Sequence, residues 1–354
     1  VPTLVTDVTQ PNTLKSIVRA STTQRIPALD FTKGALVVLM VIYHWLNYFV
    51  GAHGYLYRYL RFITPSFIFI TGFLISNAYL SKHSVTDSRL PKRLAQRGLK
   101  ILGIFVVLNV ALNLLLDPGR IAEVFRGCLS AKNLAAYVTG NIFVEHTKVA
   151  SFYILVPIGC LLLLSALLVL FCRFNKYVFH VVGALFLLCI LLLDLNDLAS
   201  PNLELVTMGL LGVIIGYVPI ERLITFIGQP FRLGVAYASY IVAITVWNVI
   251  YPLQIVGVCL SLMLIYLLGT RSDDLGGVGR QIVRLGKYSL FGYIVQIAML
   301  QLLHRTLQSV DQGIGVVVLS LFAAMALTIG TVDLVDRMRV RSSTMNSLYA
   351  AIFS

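Results

Sequence analysis

The chain has 354 residues, 58% of them hydrophobic and only 12% charged, with 28 Lys and Arg against 15 Asp and Glu for a net charge of +13. A soluble domain carries about twice that charge density, and the cations are scattered between apolar runs, which excludes a nucleic-acid-binding module. Apolar runs of roughly 17–25 residues recur along the whole length, each long enough to cross a bilayer as a helix, without the strict alternation of an outer-membrane barrel. The expected fold is all-α: a polytopic bundle of transmembrane helices.

In chain order, residues 1–24 form a polar N-terminal arm without the apolar core of a secretory signal. Residues 25–343 hold the membrane domain, and 344–354 a short C-terminal tail. Ten spans are expected, at 34–50, 62–80, 101–116, 151–172, 177–193, 203–219, 233–249, 253–269, 288–304 and 314–332. The span at 203–219 is the least regular, with Glu204 and three glycines inside it. One connection is long, residues 117–150, and loops of that length usually carry function. The five cysteines (Cys128, Cys160, Cys172, Cys189 and Cys259) have no metal-type spacing and predict no disulfide framework. No metal is expected.

Orientation follows from the loops. With the N-terminus cytoplasmic, the cytoplasmic segments hold 21 of the 28 Lys and Arg, and the opposite side holds 7. That asymmetry predicts both termini inside. The acidic turn at 194–197 then falls outside.

The first span, LDFTKGALVVLMVIYH at residues 29–44, raises a specific question: it carries Lys33 near one end and His44 near the other, with ten residues between them. A helix turns about 100° per residue, so eleven residues return to within about 20° of the same face, about 16 Å further along. Asp30 and Asn47 extend this stripe at either end, each three residues beyond. Such a line must face protein or a wet cavity rather than lipid. Lys33 could simply snorkel to headgroups, and His44 could be a satisfied core histidine. A neutral imidazole at this depth is, however, suited to take a proton from a hydroxyl or amine.

At this point the sequence resembles the acyltransferase-3 superfamily of integral membrane acyltransferases. That family carries an Arg, ten residues and then a His in its first helix; here Lys33 stands in the Arg position. PSFIFITGFLIS (65–76) is similar to its second helix, the basic RLPKRLAQRGLK (89–100) follows as it does there, and LGKYSLFGYIVQ (285–296) resembles a later Gly-x-x-Ser…Tyr-x-x-His segment with Gln296 in place of His. A neighbouring branch, of the heparan-α-glucosaminide N-acetyltransferase type, places its histidine just past the first helix. NYFVGAHGYLYRYL (47–60) holds such a residue, His53.

The resemblance implies an enzyme that moves an acyl group, commonly acetyl from acetyl-CoA, onto carbohydrate-type acceptors outside the cytoplasm, in a bacterial inner membrane. It implies catalytic roles for His44 or His53, with Lys33, Asp30 and Asn47. Basic residues at the cytoplasmic side, Lys33, Arg89, Lys92, Arg93, Arg97, Lys100, Arg280, Arg284 and Lys287, offer forks and point charges to the CoA phosphates, although plain positive-inside topology also accounts for them. Arg58, Arg61, Tyr55, Tyr57, Tyr293, Gln296, Glu145 and His146 are candidates to meet the acceptor. Ser66, Thr71, Asn47 and Tyr293 are candidate donors to the thioester oxygen. Expected partners are the bilayer, a small-molecule acyl donor and a carbohydrate-like acceptor, with no nucleic acid; an oligomer stays open. A transporter using the stripe as a pathway and a non-catalytic subunit of the same fold remain alternatives.

Overall fold

The computed structural model describes residues 26–51, 55–80, 89–116, 152–172, 174–175, 177–196, 200–218, 222–223, 230–247, 250–307 and 313–353. Among the described residues every regular element is helical. In chain order they are α1 (Pro27–Trp45), α2 (Tyr55–Leu60), α3 (Ile63–Leu74), α4 (Arg89–Leu116), α5 (Leu155–Cys172), α6 (Val178–Leu195), α7 (Pro201–Ile215), α8 (Pro230–Val246), α9 (Tyr251–Thr270), α10 (Gly276–Lys287), α11 (Ser289–Leu307), α12 (Ile314–Arg341) and α13 (Ser343–Phe353). Wide π-type turns follow α1 (Leu46–Val50) and α3 (Ile75–Leu80).

A helix stands at each of the ten apolar runs. Eight helical segments among the described residues are long and apolar enough to cross a membrane; α7 and α8, with 15 and 17 residues, are shorter. Differences from the expected layout lie at the basic ends. The cationic stretch at 89–100 is the first half of the 28-residue α4 rather than a loop. The segment before residue 288 contains the separate helix α10. After the last span, α12 continues to Arg341 and α13 folds back against it.

Helix α1 is central and touches α3, α9, α10, α11 and α12. Pro27 opens it, where a missing N–H costs nothing, and Gly51 closes the wide turn after it in the left-handed region (φ 63°). Leu36, Val37, Met40 and Val41 are at most 1% exposed. Two close crossings fix the helices around it. A Cβ on Gly34 would collide with the carbonyl of Ile282, and one on Gly286 with the carbonyl of Asp30, so α1 and α10 meet backbone to backbone. Gly72 and Gly212 do the same for α3 and α7. By contrast α6 presents Val181, Leu185, Leu188 and Leu192 outward, each more than half exposed, as a lipid-facing helix does.

Candidate active site

The stripe on α1 exists, and its two ends are built differently. At one end Lys33 Nζ lies 2.6 Å from Asp30 Oδ1, a pair made within one turn of the helix. Asp30 itself is 7% exposed, and its backbone carbonyl is the group against which Gly286 packs.

At the other end His44 faces a cavity of about 350 Å³. Met40, Tyr43, His44, Asn47 and Tyr48 bring its first wall from α1 and the wide turn after it. Tyr57 and Thr64 come from α2 and α3, Leu205 from α7, and Tyr293 and Ile297 from α11. The remaining wall is the turn before α5, Phe152, Tyr153 and Ile154. Phe152 sits there with φ 63°, a left-handed conformation that costs a bulky residue energy and is tolerated where the surroundings enforce it.

The lining is rich in phenols. The hydroxyls of Tyr43 and Tyr57 are hydrogen-bonded to each other. Tyr153 Oη accepts from Asn202 Nδ2 at 2.6 Å. Tyr48 Oη accepts from Gln301 Nε2 at 3.0 Å, and its ring stands 5.7 Å from that of His304. His44 lies between Tyr43 and Tyr293, with ring centroids 5.2 and 6.4 Å away. Trp45 anchors this end of α1 to α12: its indole N–H donates to Ser320 Oγ at 2.8 Å. Among the described residues the chamber therefore holds one imidazole, one carboxamide and several hydroxyls around a space large enough for a small polar group.

Among the expected site residues, His44, Asn47, Tyr293 and Tyr57 converge on this cavity. Lys33 and Asp30 lie about 16 Å down the same helix. Arg58 Nη1 donates to the carbonyls of Ile244 and Thr245 at 3.0 and 3.3 Å, at the end of α8. Arg61 is exposed at the turn between α2 and α3. Ser66 and Thr71 donate to the carbonyls of Phe62 and Phe67 at 2.7 and 2.9 Å, so those hydroxyl protons are committed within α3. Gln296 is fully buried one turn along from Tyr293. His53, Glu145 and His146, and the side chain of Tyr55, lie outside the described residues.

Of the candidate cations, Arg89, Lys92, Arg93, Lys100, Arg280 and Lys287 are exposed and Arg97 is half-buried. Arg284 is held by two carboxylates of α12: it pairs with Asp333, and its Nε lies 3.5 Å from Asp336. Tyr288 donates to Asp336 at 2.7 Å, and Arg339 stacks over Tyr288 and Tyr349, which ties α13 into the same cluster. Among the described residues no group of His, Cys, Asp or Glu is placed to hold a metal ion.

Sequence reasoning missed Tyr43, Tyr48, Thr64 and Tyr153 as lining residues. Tyr43 and Tyr48 flank His44 and Asn47, and that clustering of polar aromatics on a buried span was the available signal. For Tyr153 and Thr64, contributed from distant segments, there was none.

A helical membrane bundle with a polar chamber reached by one central helix defines a class of intramembrane enzyme or carrier. Comparison with known families decides between these: residues 26–333 match the acyltransferase-3 family, described as an acyltransferase domain, and the chain belongs to that family. It is a membrane acyltransferase in general terms. No curated protein and no solved structure matches it.

Proposed function

We propose that the chain transfers an acyl group, acetyl in the simplest case, from acyl-CoA to a hydroxyl or amine of a carbohydrate-like acceptor, with His44 as general base. The reading is carried by one observation: the one imidazole among the described residues that line the chamber stands on the same helix face as the Lys33–Asp30 pair, beside Asn47 and Tyr293. Under the orientation favoured by the charge bias, CoA stays on the cytoplasmic side of a bacterial inner membrane and the acceptor enters from the outside.

The acceptor O–H or N–H gives its proton to His44 as its heteroatom attacks the thioester carbon. Asn47 and Tyr293 donate to the carbonyl oxygen as charge develops there. The C–S bond breaks, and the proton held by His44 is returned to the departing thiolate, leaving the acylated acceptor and CoA thiol. General-base assistance of this kind gives about 10²–10⁴-fold; positioning supplies further acceleration. The CoA phosphates are assigned to the exposed cations of α4 and α10, Arg89, Lys92, Arg93, Lys100, Arg280 and Lys287, and to the half-buried Arg97, with Arg284 and Lys33 behind them.

The test is turnover of labelled acetyl-CoA by the purified protein in lipid nanodiscs, with a panel of sugars outside. Release of CoA thiol coupled to acylated sugar is expected. A protein that binds neither acetyl-CoA nor sugar, yet moves a polar solute across a vesicle wall, would be a transporter instead.

A further inference from the structure

Gln296 on α11 is 0% exposed, and neither its Oε1 nor its Nε2 has a hydrogen-bond partner among the described residues. A buried carboxamide with both functions unmet is destabilising, and a leucine of similar size would fill the position without that cost. On the facing helix α12, Thr328 donates to the carbonyl of Ala324 at 2.8 Å.

Its place along the bundle follows from its neighbours. One turn before it, Gly292 packs on Val37, with 3.2 Å between a Cβ built there and Val37 Cγ1. One turn after it, Leu300 shares an apolar cluster with Val41. Residues 292, 296 and 300 lie along one helix face, so Gln296 stands level with the stretch of α1 between Val37 and Val41. That is where the polar line on α1 is broken: Lys33 and Asp30 lie below, His44 above, and only Val37, Met40 and Val41 between them. Helix α11 supplies the polar group that α1 lacks there. Tyr293 and Ile297, on either side of Gln296 along α11, line the chamber with Met40, while Gln296 itself is fully buried and does not line it. A helical side chain leans toward the helix N-terminus, here the Lys33 end. Its height is about five residues below His44, about 7–8 Å at 1.5 Å per residue.

A primary amide donates and accepts at once, and its complement is another amide. We propose that Gln296 is an amide-binding subsite: it hydrogen-bonds a secondary amide of the donor's pantetheine arm where that arm passes the chamber floor between the Lys33 end and the thioester at His44. The inference rests on the acyl-CoA reading above. Met40, unbranched and adaptable, is the side chain that yields to admit the arm.

The experiment measures binding of three probes to the full-length protein in nanodiscs: acetyl-CoA, pantetheine alone, and the phosphorylated adenosine end of CoA alone. Gln296→Leu is expected to weaken acetyl-CoA and pantetheine by about tenfold, the scale of one good hydrogen bond, and to leave the adenosine probe unchanged. Its thermal unfolding temperature should equal or exceed that of the parent protein. Gln296→His, which keeps a donor and an acceptor, should restore most of the pantetheine affinity. If the leucine variant does not accumulate, Gln296→Met carries the same comparison with a more adaptable side chain. A purely structural role would weaken all three probes together, and that result overturns the proposal. Unchanged acetyl-CoA and pantetheine affinity in the variant, with normal binding by the parent, overturns the subsite alone. Failure of the parent protein to bind acetyl-CoA overturns the acyl-CoA reading and this subsite with it.

Discussion

The two ends of α1 differ in how their polar groups are satisfied. At the Lys33 end the charges are matched within the protein: Lys33 by Asp30, and Arg284 by Asp333 and Asp336. At the His44 end the polar groups surround an open space instead. Matched charges fix helices in place, whereas the hydrogen-bonded phenols of the chamber frame a space that His44 and Asn47 line. Charge density along the sequence therefore points to the end that holds the bundle together at least as much as to the end where chemistry is expected.

The sharpest way to break this contrast is at His44. His44→Ala is expected to lower acyl transfer by at least about 10²-fold, while acetyl-CoA binding, measured separately, stays within about twofold. His53→Ala is the companion variant; if it abolishes transfer while His44→Ala turns over normally, the chemistry belongs to the turn after α1 and not to the chamber.

At the opposite end the strongest effect is expected on folding. Gly286→Val forces a side chain between α10 and the carbonyl of Asp30, and overpacking of this kind costs about 1–3 kcal/mol. Reduced yield and a lower unfolding temperature in detergent are the readouts; a protein as stable as the parent would show that α1 and α10 can separate without loss.

Two arginines sharpen the comparison further. Arg284→Ala removes the cation shared by Asp333 and Asp336 and leaves Asp333 to Arg337, 2.7 Å away, alone; it should cost about 1 kcal/mol of stability, most of it recovered by adding Asp333→Asn. Arg93→Glu, on the exposed face of α4, should weaken acetyl-CoA binding and flatten its salt dependence. Equal effects of both on binding and none on stability would erase the distinction. The smallest change expected is Trp45→Phe, which removes the indole donor to Ser320. It should cost about 1 kcal/mol, seen as a small fall in unfolding temperature with turnover intact.

The helices were legible because crossing a bilayer imposes a length and an apolar composition that any reader can count. The Lys33–His44 register was legible for the same local reason, since an eleven-residue separation fixes a face whatever surrounds it. What the sequence concealed was pairing over distance. Arg284 meets Asp333 across 49 positions of chain, and no local pattern announces that its charge is taken. The far wall of the chamber is hidden in the same way: Tyr153 reaches it from a left-handed turn at Phe152, and Tyr293 from a helix more than two hundred residues beyond α1. The contact of Arg58 with the end of α8 is hidden in the same way, 186 positions away along the chain.

The contact of Gly34 with α10 and of Gly286 with Asp30 has a mechanical meaning. With main chain against main chain, α1 can neither roll about its axis nor slide past α10 without a collision, so it behaves as a shaft keyed at one end. The angular setting of His44, about 15 Å from Gly34 along a rigid helix, is thus decided at the crossing with α10. A bulkier residue at either glycine would turn the imidazole away from its chamber while leaving every chamber residue unaltered.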